Sequence, residues 1–244
     1  MTSVETTPVL QVRGVHRFFL SGDDSEVAAL KDVSFNVAAG EFVAIVGHSG
    51  SGKSTLLNLV AGLENPDGGG VWIQGQRISH RDRAEQACWR GTSIGVLTQS
   101  SGLIEHLSVE GNVDLAGFLR QRARSSRRAR QLGVAVADPE SIAASRTGPL
   151  LQGVGLASRA PARPSTLSGG ETARANLAVA LSGAPVVLLA DEPTAEISRS
   201  EEQDVLTLIS SLRPPDGVTL VVTHSEAVAS AADRVLELDD GKLR

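Results

Sequence analysis

Apolar positions along the chain follow two rhythms. Glu41 to Gly47, EFVAIVG, is a short apolar run closed by glycine, and Lys53 to Leu63, KSTLLNLVAGL, then sets Leu56, Leu57, Val60 and Leu63 at helical spacing. Val186 to Asp191, VVLLAD, and Gly217 to His224, GVTLVVTH, are almost wholly apolar, as parallel strands buried on both faces are. Arg234 to Lys242, RVLELDDGK, predicts a strand that turns at Asp240-Gly241. Strands alternating with helices predict a mostly parallel sheet wrapped by helices. The early part differs: VLQVRGV, VSFNVAAG and GGGVWIQGQRI alternate and are broken by glycine, which predicts an antiparallel sheet added to that core. From about Ser100 to Thr166 strand signals are few and the expectation is helical. No internal repeat is visible.

Composition narrows this picture. The 244 residues are 41% hydrophobic but only 3% aromatic, with no Tyr, so the core must be aliphatic. The single cysteine, Cys88, excludes an internal disulfide and fits a reducing compartment. A formal charge of -5 argues against a general nucleic-acid binder. The chain opens without a basic start followed by an apolar run, and no stretch reaches the roughly 18 apolar residues that span a bilayer. The expectation is a soluble chain whose membrane role, if any, runs through a partner.

Two constellations carry chemistry. Gly47 to Thr55, GHSGSGKST, fits G-x-x-x-x-G-K-[ST] and sits between a predicted strand and a predicted helix. Gly47, Gly50 and Gly52 let backbone N–H groups of His48, Ser49 and Ser51 curl around phosphate oxygens, and the helix end adds partial positive charge. Lys53 can reach the outer phosphates and Ser54 can ligate Mg²⁺. The plain alternative, a glycine-rich turn that matches by accident, is weakened by the flanking strand and helix. Asp191 and Glu192 end the run VVLLA, at the strand edge where open α/β sheets place ligands. Asp191 there can hold Mg²⁺ and Glu192 can polarise an attacking water, in a reaction that needs positioning and charge neutralisation. Alone, the pair could equally be two solvated carboxylates before Pro193.

Leu167 to Glu171, LSGGE, precedes a predicted helix, so Ser168, Gly169 and Gly170 form a second anion-binding helix end. One nucleotide does not need two such cradles from one chain, whereas two chains packed head to tail would use both. With these motifs in this order, nearly the whole chain resembles the ATP-binding-cassette ATPases. The resemblance implies an α/β P-loop NTPase core with a mostly parallel sheet, an added antiparallel β-subdomain and an inserted α-helical subdomain. It implies one domain over 7–244, with 7–98 and 164–244 as the core and 99–163 as the helical part. It implies ATP and Mg²⁺ as ligands, with Gln99 at the position that links the metal and attacking water to the membrane partner, and His224 at the γ-phosphate contact. The metal set becomes Ser54, Gln99 and Asp191, and the catalytic set Glu192, His224 and Gln99. An adenine-stacking aromatic is expected near the start. Phe19 is the candidate by its spacing to Gly22, Phe18 stands beside it, and either could instead be core.

Within the family, RFFLSGDDSEVAALKDVSF and NPDGGGVWIQGQRIS are most similar to the lipoprotein-release, macrolide-efflux and cell-division branch. That implies an ATPase pairing with a separate transmembrane permease and with a second ATPase chain, in the simplest case its own copy. It would have no nucleic-acid partner and lie peripherally on the cytoplasmic face of the membrane. Rival readings are a non-transport membrane regulator of the cell-division type and an ATP-binding module with weak hydrolysis. A chromosome or DNA-repair ATPase is disfavoured, because the middle is short and lacks heptads. Departures from the family pattern are Ser198 where an Asp is usual, Thr172 and Ala173 beside the retained Arg174, and Val179 in place of an Arg. Ser198 can cap the next helix but cannot supply the charge. RQRARSSRRAR, with six Arg over Arg120–Arg130, reads either as a solvated helix or as an attractor of anionic headgroups at about 1 kcal/mol per Arg.

Overall fold

The computed structural model describes residues 8–20, 25–98, 102–134, 146–195 and 197–244. The described elements run β1 (Leu10–Leu20), β2 (Glu26–Val37), β3 (Phe42–Val46), α1 (Lys53–Val60), β4 (Gly68–Ile73), β5 (Gln76–Arg77), α2 (Arg83–Ser93) and β6 (Ile94–Leu97). There follow α3 (Val109–Arg124), α4 (Arg127–Gln131), α5 (Thr147–Gly153), two short 3₁₀ turns and α6 (Gly169–Leu181). The chain closes with β7 (Val187–Asp191), α7 (Arg199–Leu212), β8 (Val218–Thr223), α8 (Glu226–Ala231), β9 (Arg234–Asp239) and β10 (Lys242–Leu243).

Both sheets that the patterning predicts are present. The alternating, glycine-broken runs pair antiparallel in the order β2-β1-β4-β5, and the apolar runs build a second sheet in the order β10-β9-β3-β8-β7-β6. In the latter, β9, β3, β8, β7 and β6 are parallel and β10 folds back antiparallel on β9. That hairpin turns at Asp240 and Gly241, where both residues take positive φ (46° and 77°), as tight two-residue hairpins require.

The parallel strands are apolar because neither face meets water. Val43, Ile45, Val187, Leu189, Val218, Leu220 and Val222 point into one cluster, with α1 and the inner face of the antiparallel sheet. Phe42, Leu188, Ala190 and Val221 point into a second cluster with α6, α7 and α8. The period-2 alternation of a strand splits one apolar run between two cores. The second cluster also takes in Val109 and Val113 of α3 and Leu150 and Leu151 of α5, so the central helices share the core of that face.

Two local expectations are revised. Leu63 does not extend the apolar face of α1: the helix ends at Val60, Gly62 turns the chain at φ 63°, and Leu63 is 56% exposed. The arginine run is not uniformly solvated. Arg120 is 9% exposed, donating from Nε to Ser182 O at 2.8 Å and from Nη1 to Ile94 O at 3.1 Å. Arg124 donates to Thr92 O from Nε and Nη2 at 3.1 and 2.9 Å and to Ala184 O from Nη2 at 2.7 Å. These two guanidiniums tie α3 to the ends of α2 and α6, and burial, with Arg124 beside it, lowers the Arg120 pKa to about 10. Arg122, Arg127, Arg128 and Arg130 remain exposed. Arg120→Ala is expected to cost about 2–4 kcal/mol of unfolding free energy, since it leaves buried carbonyls unpaired and a cavity, whereas exposed Arg127→Ala should stay within about 0.5 kcal/mol. Chemical denaturation of the two variants checks the contrast.

Candidate functional site

Strand pairing gathers the predicted residues at one edge. β8 lies between β3 and β7, all parallel, with Val46 opposite Thr223 and Asp191 opposite Val222. The segments that follow these strands therefore emerge side by side at the carboxyl edge of the sheet. They are the loop from Gly47, the pair Asp191-Glu192, and His224.

The loop owes its shape to close backbone approaches. A side chain at Gly47 would strike the Leu238 carbonyl and come within 2.7 Å of Ser51 Oγ, and one at Gly52 would meet the Ala29 carbonyl of β2 at 2.5 Å. Gly52 also takes φ 103° at the start of α1, a conformation that other residues rarely adopt. No side chain caps α1, so the first-turn N–H groups of Lys53, Ser54 and Thr55 have no intrahelical partner. Lys53 Nζ donates to Gly47 O at 2.7 Å and His48 O at 3.0 Å, across the loop. The exposed ring of His48 contacts Ser49 O through Nδ1 (2.7 Å) and Asp239 Oδ1 through Nε2 (3.1 Å), and these neighbours raise its pKa, the Ser49 carbonyl most. Ser49 and Gly50 form the exposed tip, and Ser51 is buried beneath it.

Asp191 ends β7 with the Ser54 hydroxyl beside its carboxyl. Burial raises its pKa above the usual aspartate range, and the neighbouring Glu192 carboxylate pushes the same way, against the Ser54 hydroxyl and Lys53. Glu192 sits in left-handed backbone (φ 46°) with its N–H on Val222 O at 2.9 Å. A non-glycine residue held there costs about 1–3 kcal/mol that the surrounding contacts must offset. Those contacts are specific: Glu192 Oε2 accepts from Thr223 Oγ1 (3.0 Å) and His224 N–H (3.2 Å), and Oε1 faces His224 Nδ1 at 2.8 Å. The sequence reading put Glu192 and His224 in one catalytic set with different roles; in the structure their side chains meet as one pair.

Two residues escaped the sequence reading. Thr223 orients Glu192 from the adjacent strand. Glu202, in the first turn of α7, accepts from Thr194 Oγ1 at 2.9 Å and Ser225 Oγ at 2.6 Å, tying the segment after β7 to the segment after β8. Thr223 directly precedes His224 and could have been noticed by that adjacency. Glu202 has no local signal, because its partners lie 8 and 23 residues away.

Ser168 caps α6 in a reciprocal capping box with Glu171: Ser168 Oγ accepts from Glu171 N–H at 3.2 Å and Glu171 Oε2 accepts from Ser168 N–H at 2.9 Å. Ser168 and Gly169 are exposed and Gly170 is buried. α6 packs in the cluster on the opposite face of the sheet from α1, so the two anion-binding helix ends are carried by different layers. Ser198 caps α7 as expected, again in a capping box, with Glu201. Phe18 and Phe19 pair with Ala28 and Val27 of β2 and are 39% and 41% exposed, so neither belongs to the core. Arg17 Cζ lies 4.7 Å from the centre of the Phe19 ring, and Phe18 stacks on His16. Gln99 lies outside the described residues.

Comparison with known proteins agrees with this geometry. A family model described as "ABC transporter" matches residues 30–195. The macrolide export ATP-binding/permease protein MacB of Agrobacterium fabrum is 37% identical over 236 residues, which are 97% of this chain and 34% of that protein. The pyoverdine export ATP-binding/permease protein PvdT of Pseudomonas fluorescens is 33% identical over 237 residues, 97% of this chain and 34% of that protein. The chain thus spans about a third of the length of the curated relatives it matches. The dimeric, post-hydrolysis structure of the ATP-binding cassette MJ0796 bound to ADP and Pi superposes with a TM-score of 0.79 at 30% identity, over 96% of both chains.

The raised Asp191 pKa carries a sign for stability. A carboxylate whose pKa rises on folding disfavours the folded state once both states are ionised, and the cost fades as pH falls below the ordinary aspartate range. Asp191→Asn is therefore expected to melt higher than the parent near pH 7, in a domain of a size where each 1 kcal/mol is worth roughly 2–4 °C. The gap should narrow towards acid pH, and melting curves of both proteins against pH check it.

Proposed function

Since the chain belongs to the ABC transporter ATPase family, we propose that it binds Mg-ATP at the carboxyl edge of its parallel sheet, hydrolyses it, and drives an export permease. One observation carries this reading: the uncapped start of α1, Lys53, Ser54 beside Asp191 and the Glu192–His224 pair converge at the ends of three adjacent strands. Backbone N–H groups from His48 to Thr55 with Lys53 would cradle the phosphates. The oxygen donors of Ser54 and Asp191 suit Mg²⁺, and a cation there would neutralise a carboxylate whose charge burial now disfavours. Glu192, fixed by Thr223 and His224, would polarise the attacking water, while the exposed His224 ring would contact the γ-phosphate. Phe19, outside the core and at the end of β1, would stack on adenine, and Gln99 would complete the metal and water shell.

The placement of Ser168, Gly169 and Gly170 on the opposite layer from the phosphate loop supports a site completed by a second chain, each signature segment closing on the other's ATP. Among the described residues no helix is long and apolar enough to cross a membrane. In this reading a permease supplies the membrane-spanning function, and the chain works at the cytoplasmic face of the membrane. The relatives named for export carry ATP-binding and permease functions in one protein.

Steady-state Mg-ATP hydrolysis against protein concentration tests the reading. Specific activity is expected to rise with concentration as two chains assemble. Glu192→Gln should lower kcat by about 10²-fold or more while ATP still binds, because it removes a positioned base. Lys53→Ala should lose nucleotide affinity or turnover. A Glu192→Gln enzyme as fast as the parent overturns the assignment of Glu192.

A further inference from the structure

The first turn of α7 delivers a carboxylate to the signature segment of the same chain. Glu201 Oε2 accepts from Ser198 Oγ at 2.8 Å and from Ser198 N–H at 3.2 Å. The same carboxyl lies against Gly170, in the first turn of α6. The carboxyl carbon lies 2.8 Å from where a Cβ on Gly170 would stand, so glycine alone leaves it room. The start of two helices thus converges on one anion. Ser198, contributing most, the Gly170 backbone and Arg174, further along α6, hold the Glu201 carboxyl below the usual glutamate range.

The Gly170 N–H belongs to the signature group that the two-chain reading above assigns to the partner's nucleotide. We propose that Glu201 is an internal anion that occupies the signature segment of its own chain, so that the γ-phosphate of a second chain's ATP must displace it before the two chains close. The proposal rests on that two-chain reading. It also gives Ser198 a role beyond capping. The Ser198 hydroxyl donates to Glu201, whereas an aspartate at this position would set two carboxylates at hydrogen-bond distance, which like charges resist. The neutral Ser198 and the anionic Glu201 act as one device: a closed signature segment that nucleotide must open.

The test uses the Glu192→Gln protein, in which bound ATP persists, with Glu201→Gln added. Gln at the third helical position keeps the capping box, so α7 retains its start while the charge is lost. The readouts are the Gly170 amide resonance in the nucleotide-free protein and the ATP concentration for half-maximal self-association by sedimentation. Glu201→Gln is expected to move the Gly170 amide and to lower that ATP concentration by roughly two- to fivefold, the range that a charge at a helix N-terminus commands. Ser198→Asp should shift both in the same direction. An unmoved amide overturns the contact. A moved amide with an unchanged association midpoint overturns the gating. A Glu192→Gln parent that stays monomeric at saturating ATP overturns the two-chain reading and the proposal with it, and that failure is distinguished by appearing before Glu201 is altered.

Discussion

A parallel sheet must be covered on both faces, and much of the rest of this molecule follows from that constraint. β7 and β8 present nearly every side chain to apolar surroundings, and alternate residues feed two separate cores. The first core needs α1 and the antiparallel sheet; the second needs α6, α7, α8 and the central helices. The phosphate loop and the signature segment each begin a helix, so covering the sheet also places their anion-binding ends in different layers. A division of labour between two chains is the simplest arrangement consistent with this packing.

At the carboxyl edge the same sheet holds features that do not favour folding. Burial disfavours the charge of Asp191, and Glu192 sits in a backbone conformation that side chains rarely take. Both meet neighbours from other segments of the chain rather than from their own. Thr223 and His224 restrain Glu192, while Ser54, at the start of α1, lies beside Asp191. Glu202 links the segments after β7 and β8 through Thr194 and Ser225, so a shift of either would be felt by the other. Unfavourable local terms held in place by tertiary contacts are expected where chemistry needs them.

The acidic first turn of α7 deepens this pattern. Glu201 and Glu202 are neighbours in sequence, yet one faces the signature segment and the other the segments after β7 and β8. A helix sets consecutive residues about 100° apart, so one turn reaches both. The arginines of α3 show the same logic in the opposite sense. Arg120 and Arg124, four apart, lie on the inner face and satisfy carbonyls at the ends of α2 and α6, while the arginines between and beyond them stay in water.

By itself the sequence determined the two sheets, the strand–loop–helix around Lys53, the carboxylates at the end of β7 and the capping role of Ser198. Each depends on local chemistry: period-2 alternation, glycine where backbones meet, a hydroxyl before a helix. It could not decide where α1 stops, because Leu63 continues the apolar spacing and only the turn at Gly62 removes it. It could not separate buried from solvated arginines in one charged run, since that depends on which carbonyls the fold leaves unpaired. Nor could it pair Glu192 with His224, or bring Glu201 to Gly170, across 32 and 31 residues of chain. Those contacts exist only because parallel strands align their ends and because two helices packed on one face of the sheet start side by side, and no local pattern encodes either placement.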